Sequence, residues 1–244
     1  FQGYASFGYL NQKGTQPGQA YERYTLKVSF DANPVEFFKM GASVNGSYAD
    51  QDYGYNFSKS VTGAGDFYGA LRSMLPWTVP YDANGYIRLP NGDINIINPI
   101  RELDYNTNQR RTFRANASMY SQIDFGKIWE PLEGLSYRIQ FGPEFQFYTL
   151  GIANAAEGIN GDGNNKAQYK NEQKRSWTLD NLIYYNKTIK DHSLGLTLMQ
   201  SASKYHYEMG DMTATNVASS KELWYNLHSA GSLSGFGTGL TESQ

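Results

Sequence analysis

Cysteine is absent from this 244-residue chain, which excludes disulfide staples and every metal site built on thiolates. Histidine is scarce, with three residues at His192, His206 and His228. None has metal-ligand spacing, and His192 falls in an expected turn, where solvation accounts for it. No stretch of about 18 apolar residues occurs, so a membrane-spanning helix is excluded. Neither sign of charge dominates. The net charge is −2, and the Lys and Arg residues are scattered through the chain, leaving no basic patch for nucleic acid or an anionic lipid surface. A nucleophile elbow and a phosphate-cradling glycine motif are both missing. Asp162 and Glu172 flank a flexible loop, whereas a glycosidase pair needs two carboxylates on rigid elements. These absences point away from an enzyme and from any cofactor.

What is present is alternation. From Leu135 to Tyr148 the residues Leu135, Tyr137, Ile139, Phe141, Phe145 and Phe147 alternate with Ser136, Arg138, Gln140, Glu144 and Gln146. Such a period of two marks a half-buried strand, but soluble strands average about 5–6 residues, and this one runs more than twice as far. A tilted strand crosses a bilayer in about 9–11 residues. In a transmembrane barrel the apolar row meets lipid and the polar row meets a wet lumen, so mid-strand charges are tolerated. The mean hydropathy of −0.59 does not oppose this, because only alternate residues face lipid. The 15% aromatic content, with 20 Tyr, suits interfacial girdles. A Tyr-rich β-sandwich is the competing architecture.

The same pattern recurs along the chain. Strands are expected at about Gly3–Asn11, Tyr21–Asp31 and from Phe38 onward, then at Thr112–Phe125, from Leu135, and in a hairpin of Trp177–Tyr185 with Ser193–Met199. Tight connections fall at Asn33–Phe37, Trp129–Gly134 and Asn186–His192. Long loops are expected near 58–109, 153–171 and 211–244, with one short helix at Asp66–Leu75 capped by Asp66. Pro143 lacks an N–H, so a local bulge with Gly142 is expected there. The count is about seven strands, with short turns on one side and long loops on the other, as in outer-membrane barrels. Bacterial barrels have even strand numbers, and open edges in hydrocarbon are costly. The fold class is all-β, a transmembrane antiparallel barrel, of which residues 1–244 form one arc.

Three strings are distinctive: YASFGYLNQKG, YERYTLKVSFDANPVEFFKMGASVNGSY and NLIYYNKTIKDHSLGLTL. In this order and spacing they resemble the mid-barrel region of the SusC/RagA family of TonB-dependent outer-membrane transporters. The resemblance covers most of the chain and is weakest at Ser58–Gln109 and Asp211–Gln244. It implies a twenty-two-stranded barrel with an internal plug, energised by TonB and capped by a SusD-like surface lipoprotein. It also implies uptake of oligosaccharides or peptides across the outer membrane of a Bacteroidetes-type Gram-negative cell. The signal peptide, TonB box and plug would lie upstream of Phe1.

Within the long loop, Trp77, Tyr81, Asp82, Tyr86, Arg88 and Asp93 are the candidate substrate contacts, since aromatic faces take sugar faces and charged groups take hydroxyls. For any one of them, loop self-packing or contact with a lid protein is the more ordinary role. Lys27, Arg114, Arg138 and Glu144 are expected to line the lumen or touch the plug. Asp82-Ala83-Asn84-Gly85 and Asp162-Gly163-Asn164 faintly resemble calcium loops but lack the closing Glu, and read as turns. The Asn-x-Ser/Thr sites at Asn45, Asn56, Asn116 and Asn186 read as chance occurrences, two of them on polar strand rows. A secreted or surface β-sandwich that binds glycan without transport remains the alternative from another class.

Overall fold

The computed structural model describes residues 1–54, 67–86 and 98–243. Eight long strands form one sheet in the order β1-β2-β3-β6-β7-β8-β9-β10, each antiparallel to its neighbour. They are β1 (Gln2–Lys13), β2 (Gln19–Val35), β3 (Phe38–Tyr53), β6 (Asn106–Asp124), β7 (Leu135–Asn154), β8 (Lys166–Ile189), β9 (His192–Thr215) and β10 (Ser232–Ser243). Between β3 and β6 lie helix α1 (Phe67–Arg72), a two-residue-per-strand hairpin β4 (Tyr81–Asp82) and β5 (Gly85–Tyr86), and helix α2 (Pro99–Glu102). Asn98 caps α2, its side-chain oxygen accepting from the Ile100 N–H at 3.2 Å and the Arg101 N–H at 3.5 Å, and Pro99 supplies the preset first helical residue.

The connections differ between the two ends of the sheet. At one end are residues 36–37, 125–134 and 190–191; at the other are 14–18, 54–105, 155–165 and 216–231. A strand of 17 residues such as β2 is ~56 Å long at about 3.3 Å per residue. Tilted at roughly 40°, it rises ~43 Å, well beyond an apolar band about 25 Å tall.

Several expectations need correction. The large sheet has eight strands among the described residues rather than about seven. The extra strand, β10, lies where a loop was expected over 211–244, and β9 itself runs on to Thr215. Glycines at 235, 237 and 239 weaken the strand signal of β10, but pairing along β9 outweighs that local penalty. The expected loops shrink in the same way, because β6 begins at Asn106, β7 ends at Asn154 and β8 begins at Lys166. Helix α1 is shorter than Asp66–Leu75, and Asp66 lies outside the described residues. No bulge forms at Pro143. The pairing of β7 with β8 runs through Gly142 and Pro143 without a shift, and the ladder to β6 merely skips Ala117 and Ser118 while keeping its register. The missing N–H costs ladder contacts on one side and leaves the side-chain phase intact.

Among the described residues there is no central core. Buried apolar residues gather at the long-loop end, in one cluster of Phe67 and Ala70 with Leu103 and Ile159, and in another of Ala153, Ala167, Ala214, Val217, Trp224 and Leu227. The strands instead expose large side chains, among them Leu194 at 58%, Leu196 at 52% and Leu198 at 56%. A contiguous apolar face of this extent on a folded chain marks a surface made for another apolar phase.

Candidate functional site

Register turns the alternation into rows that run from strand to strand across the sheet. Gly3, Phe30, Ala42, Met119, Phe141, Leu179 and Ala202 are successive cross-strand partners, an unbroken apolar row over seven strands. Toward the long loops on the same face, Tyr9, Tyr24, Tyr48, Phe113 and Phe147 form an aromatic row. The Tyr9 and Tyr24 rings stand 5.0 Å apart and those of Phe113 and Phe147 6.1 Å apart. One step further the row becomes Asn11, Glu22, Asp50, Arg111 and Thr149. Here Arg111 Nε donates to Asp50 Oδ2 at 3.0 Å, and Gln109 Nε2 donates to Asp50 Oδ1 at 3.0 Å. Burial, and then the neighbouring Asp50 carboxylate, push the Asp52 carboxyl above its ordinary range, while Arg111 draws it back. The change from apolar to aromatic to charged within two rows is the profile of an interfacial girdle.

Above that girdle, still on the apolar side, the 216–231 connection folds back over the sheet. Trp224 covers Gly151 and the small row Ala153, Ala167, Ala214, and a Cβ at Gly151 would overlap the indole. The two other long connections are stitched together by a buried pair. Glu102, 1% exposed, accepts from Arg101 Nη1 at 2.7 Å and from the Ile159 N–H at 2.8 Å, while Arg101 Nη2 donates to the Glu157 carbonyl at 2.9 Å. A guanidinium–carboxylate contact in which each partner makes a further hydrogen bond is the condition under which burying charge is tolerated.

The opposite face is polar, and its side chains reach across strands. Tyr120 donates through its hydroxyl to Asp31 Oδ1 at 2.7 Å, passing over Gly41, where a Cβ would collide with both groups. Arg138 lies 4.1 Å over the Tyr120 ring and Arg110 lies 3.5 Å over the Tyr53 ring. Lys27, Arg114, Arg138 and Glu144 all fall on this face, as the alternation required, since Lys27 pairs with Asn45, Asn45 with Asn116, and Asn116 with Glu144. Near the long-loop end the face holds a cleft of about 320 Å³ bordered by Arg23, Arg110, Arg114, Tyr21, Tyr53 and Tyr148. Arg23, Arg110 and the three tyrosines were not singled out from the sequence. Their convergence depends on register across β2, β3, β6 and β7, which no local signal carries.

The loop candidates are less gathered. Trp77 is 77% exposed and Tyr81 55% exposed; Tyr81 pairs with Tyr86 through the backbone in the β4–β5 hairpin. Asp82 Oδ1 accepts from the Asn84 N–H at 2.8 Å, closing a turn. Arg88 and Asp93 lie outside the described residues, as does Asn56. Among the described residues no cluster of three or more His, Asp or Glu has metal-binding geometry.

An open antiparallel sheet with one lipid-type face and one wet face is a stretch of transmembrane β-barrel wall. Comparisons narrow the class. No family model matches the chain. TonB-dependent receptor P26 of Formosa agariphila is 28% identical over 228 residues, covering 88% of this chain and 21% of that protein. TonB-dependent receptor P39 of the same organism is 27% identical over 217 residues, covering 86% of this chain and 19% of its own length. The chain thus spans about a fifth of the curated relatives it matches. Among solved structures, the RagAB peptide importer in its closed-closed state aligns over 98% of this chain and 27% of its own, with TM-score 0.76 at 20% identity. Its open-open state aligns with TM-score 0.78 at 21% identity over 98% of this chain and 26% of its own. The chain is thus similar in sequence to a segment of two TonB-dependent receptors and similar in fold to a segment of the RagAB peptide importer.

Proposed function

We propose that this chain is a stretch of the wall of an outer-membrane importer of oligosaccharides, energised through TonB and covered by a SusD-like lipoprotein lid. The observation that carries the membrane placement is the ordered succession of rows on one face: apolar over seven strands, then aromatic, then charged. Lipid accepts the first, the headgroup region the second and water the third. The edges of β1 and β10 have no partner strand among the described residues; exposed backbone groups cost several kcal/mol each in hydrocarbon, which supports continuation into further strands. The polar face is then the lumen, with Lys27, Arg114, Arg138 and Glu144 on the path or against a plug. The exposed loop aromatics Trp77 and Tyr81 suit contact with sugar faces or with the lid. In this role the segment provides wall, loops and docking surface and carries out no chemistry.

Peptide is the second reading of the cargo, favoured by the likeness to the RagAB peptide importer. The β-sandwich alternative lacks support, since a sandwich needs a second sheet against the apolar face, and the described residues form one large sheet and one minimal hairpin. Fractionation of the source cells followed by uptake of labelled oligosaccharide and labelled peptide tests the proposal. The expected result is protein in the outer-membrane fraction and TonB-dependent accumulation of the oligosaccharide. Protein in the soluble fraction would overturn the placement, and uptake of peptide alone would overturn the cargo.

A further inference from the structure

The cleft on the polar face near the long-loop end has a composition that neither wall nor plug packing demands. Thr112 of β6 pairs with Ala49 of β3 on one side and Tyr148 of β7 on the other, and Ala49 pairs with Arg23 of β2. Arg110 and Arg114 flank Thr112 on the same face of β6, each ~7 Å along the strand. Short side chains at Ala49 and Thr112 therefore form a floor, and three guanidinium groups rise around it.

These positive groups are not neutralised by their surroundings. Neither Arg23 nor Arg114 meets a carboxylate among the described residues. The nearest acids on this face are Glu144, which makes no ion pair among the described residues, and Glu172, which is held by Lys170 at 2.7 Å. Arg110 is more specifically arranged. Its guanidinium carbon lies 3.5 Å from the centroid of the Tyr53 ring, and its Nε is buried with no hydrogen-bond partner among the described residues. The ring holds the group beside the cleft, and a guanidinium's paired N–H donors suit a two-oxygen anion. A buried donor without an acceptor is uncommon in a folded protein and asks for an explanation. An oxyanion in the cleft would supply the negative charge that the three arginines lack.

We infer that Arg110, Arg23 and Arg114 form an oxyanion site in the lumen that holds a carboxylate group of the imported molecule, with Tyr21 and Tyr148 flanking the adjoining unit. The inference rests on the lumenal placement proposed above and names the charge class of the cargo. One anion chemistry has two sources here, an acidic sugar in an oligosaccharide or the terminal carboxylate of a peptide.

The test uses the full-length receptor in detergent, wild type against Arg110→Gln and the double variant Arg23→Gln, Arg110→Gln. Binding is measured by calorimetry for an oligo-uronate of four units, a neutral glucan of equal length, tetra-alanine and its C-terminal amide. The expected result is that one anionic probe binds at least tenfold tighter than its neutral counterpart, and that Arg110→Gln removes most of that difference. The double variant should remove all of it, with the neutral probe unchanged. The pair that shows the difference identifies the source. Equal binding of charged and neutral probes, or an anion preference that survives both variants, would overturn the inference. If instead the variants lower the melting temperature of the unliganded receptor and leave binding alone, the arginines serve the plug and the inference fails. Outer-membrane insertion of the same variants, measured in parallel, separates these outcomes from failure of the wall reading itself.

Discussion

Arginine scanning across the apolar face yields a depth profile that only a membrane-embedded sheet would give. Phe141 sits in the row shared with Met119 and Leu179 and stacks near Trp177, with ring centroids 6.4 Å apart. Phe147 lies in the aromatic row beside Phe113. An outward Arg costs about 2–4 kcal/mol at the bilayer midplane and about 0–1 near an interface. Losing the ring pair adds about 0.5–1.5 kcal/mol at either site. Phe141→Arg should then lower stability by roughly 2.5–5.5 kcal/mol, or about two to four orders of magnitude in the folding equilibrium at about 1.4 kcal/mol per tenfold. Phe147→Arg should cost roughly 0.5–2.5 kcal/mol by the same sum. Ser203→Arg serves as the control, since Ser203 pairs with Thr178 on the polar face beside the Ala202 row; its effect should stay within about 0.5 kcal/mol. The assay is reversible guanidinium unfolding of the full-length receptor in phospholipid vesicles. Equal costs at Phe141 and Phe147, or a cost at Ser203 matching that at Phe141, would refute the assignment of faces and depth.

Other consequences are local. Gly151→Leu should dislodge Trp224 from the wall, because even a Cβ there meets the indole; a red shift in tryptophan emission would report it, and unchanged emission would contradict the packing. Glu102→Ala removes the acceptor shared by Arg101 and the Ile159 N–H and should cost about 3–5 kcal/mol locally, as for other broken buried pairs, seen as faster proteolysis at residues 155–165. Lys190 holds a left-handed backbone, with φ 52°, in the two-residue turn between β8 and β9. Lys190→Asn should stabilise that turn by about 0.5 kcal/mol, because Asn tolerates this region better, and a destabilising result in the same vesicle assay would count against the turn geometry.

The sequence reveals the wall and hides the site for one physical reason. Alternation is a local property, so the two faces of β2, β3, β6 and β7 can be read from adjacent residues, and the phase through Pro143 survived even where a bulge was expected. The strand β10 escaped because its glycines carry no facial preference and its identity comes from the partner β9. The arginine cleft escaped for a similar reason: Arg23 and Arg110 become neighbours only when four strands fall into one register. The stitch between the loops at Arg101, Glu102 and Ile159 likewise joins segments far apart in the chain. The loop candidates were chosen on composition, and of these the structure places Trp77 and Tyr81 as exposed rings without drawing them into one cleft.

Native mass spectrometry of the source protein, extracted in detergent from outer membranes, tests the central claim most directly. Because the chain spans 21% and 19% of its curated relatives, a parent chain roughly five times its 27.5 kDa is predicted, retaining a second, lipidated protein. A water-soluble species of 27.5 kDa with no partner would contradict the barrel wall and return the chain to an autonomous β-rich domain.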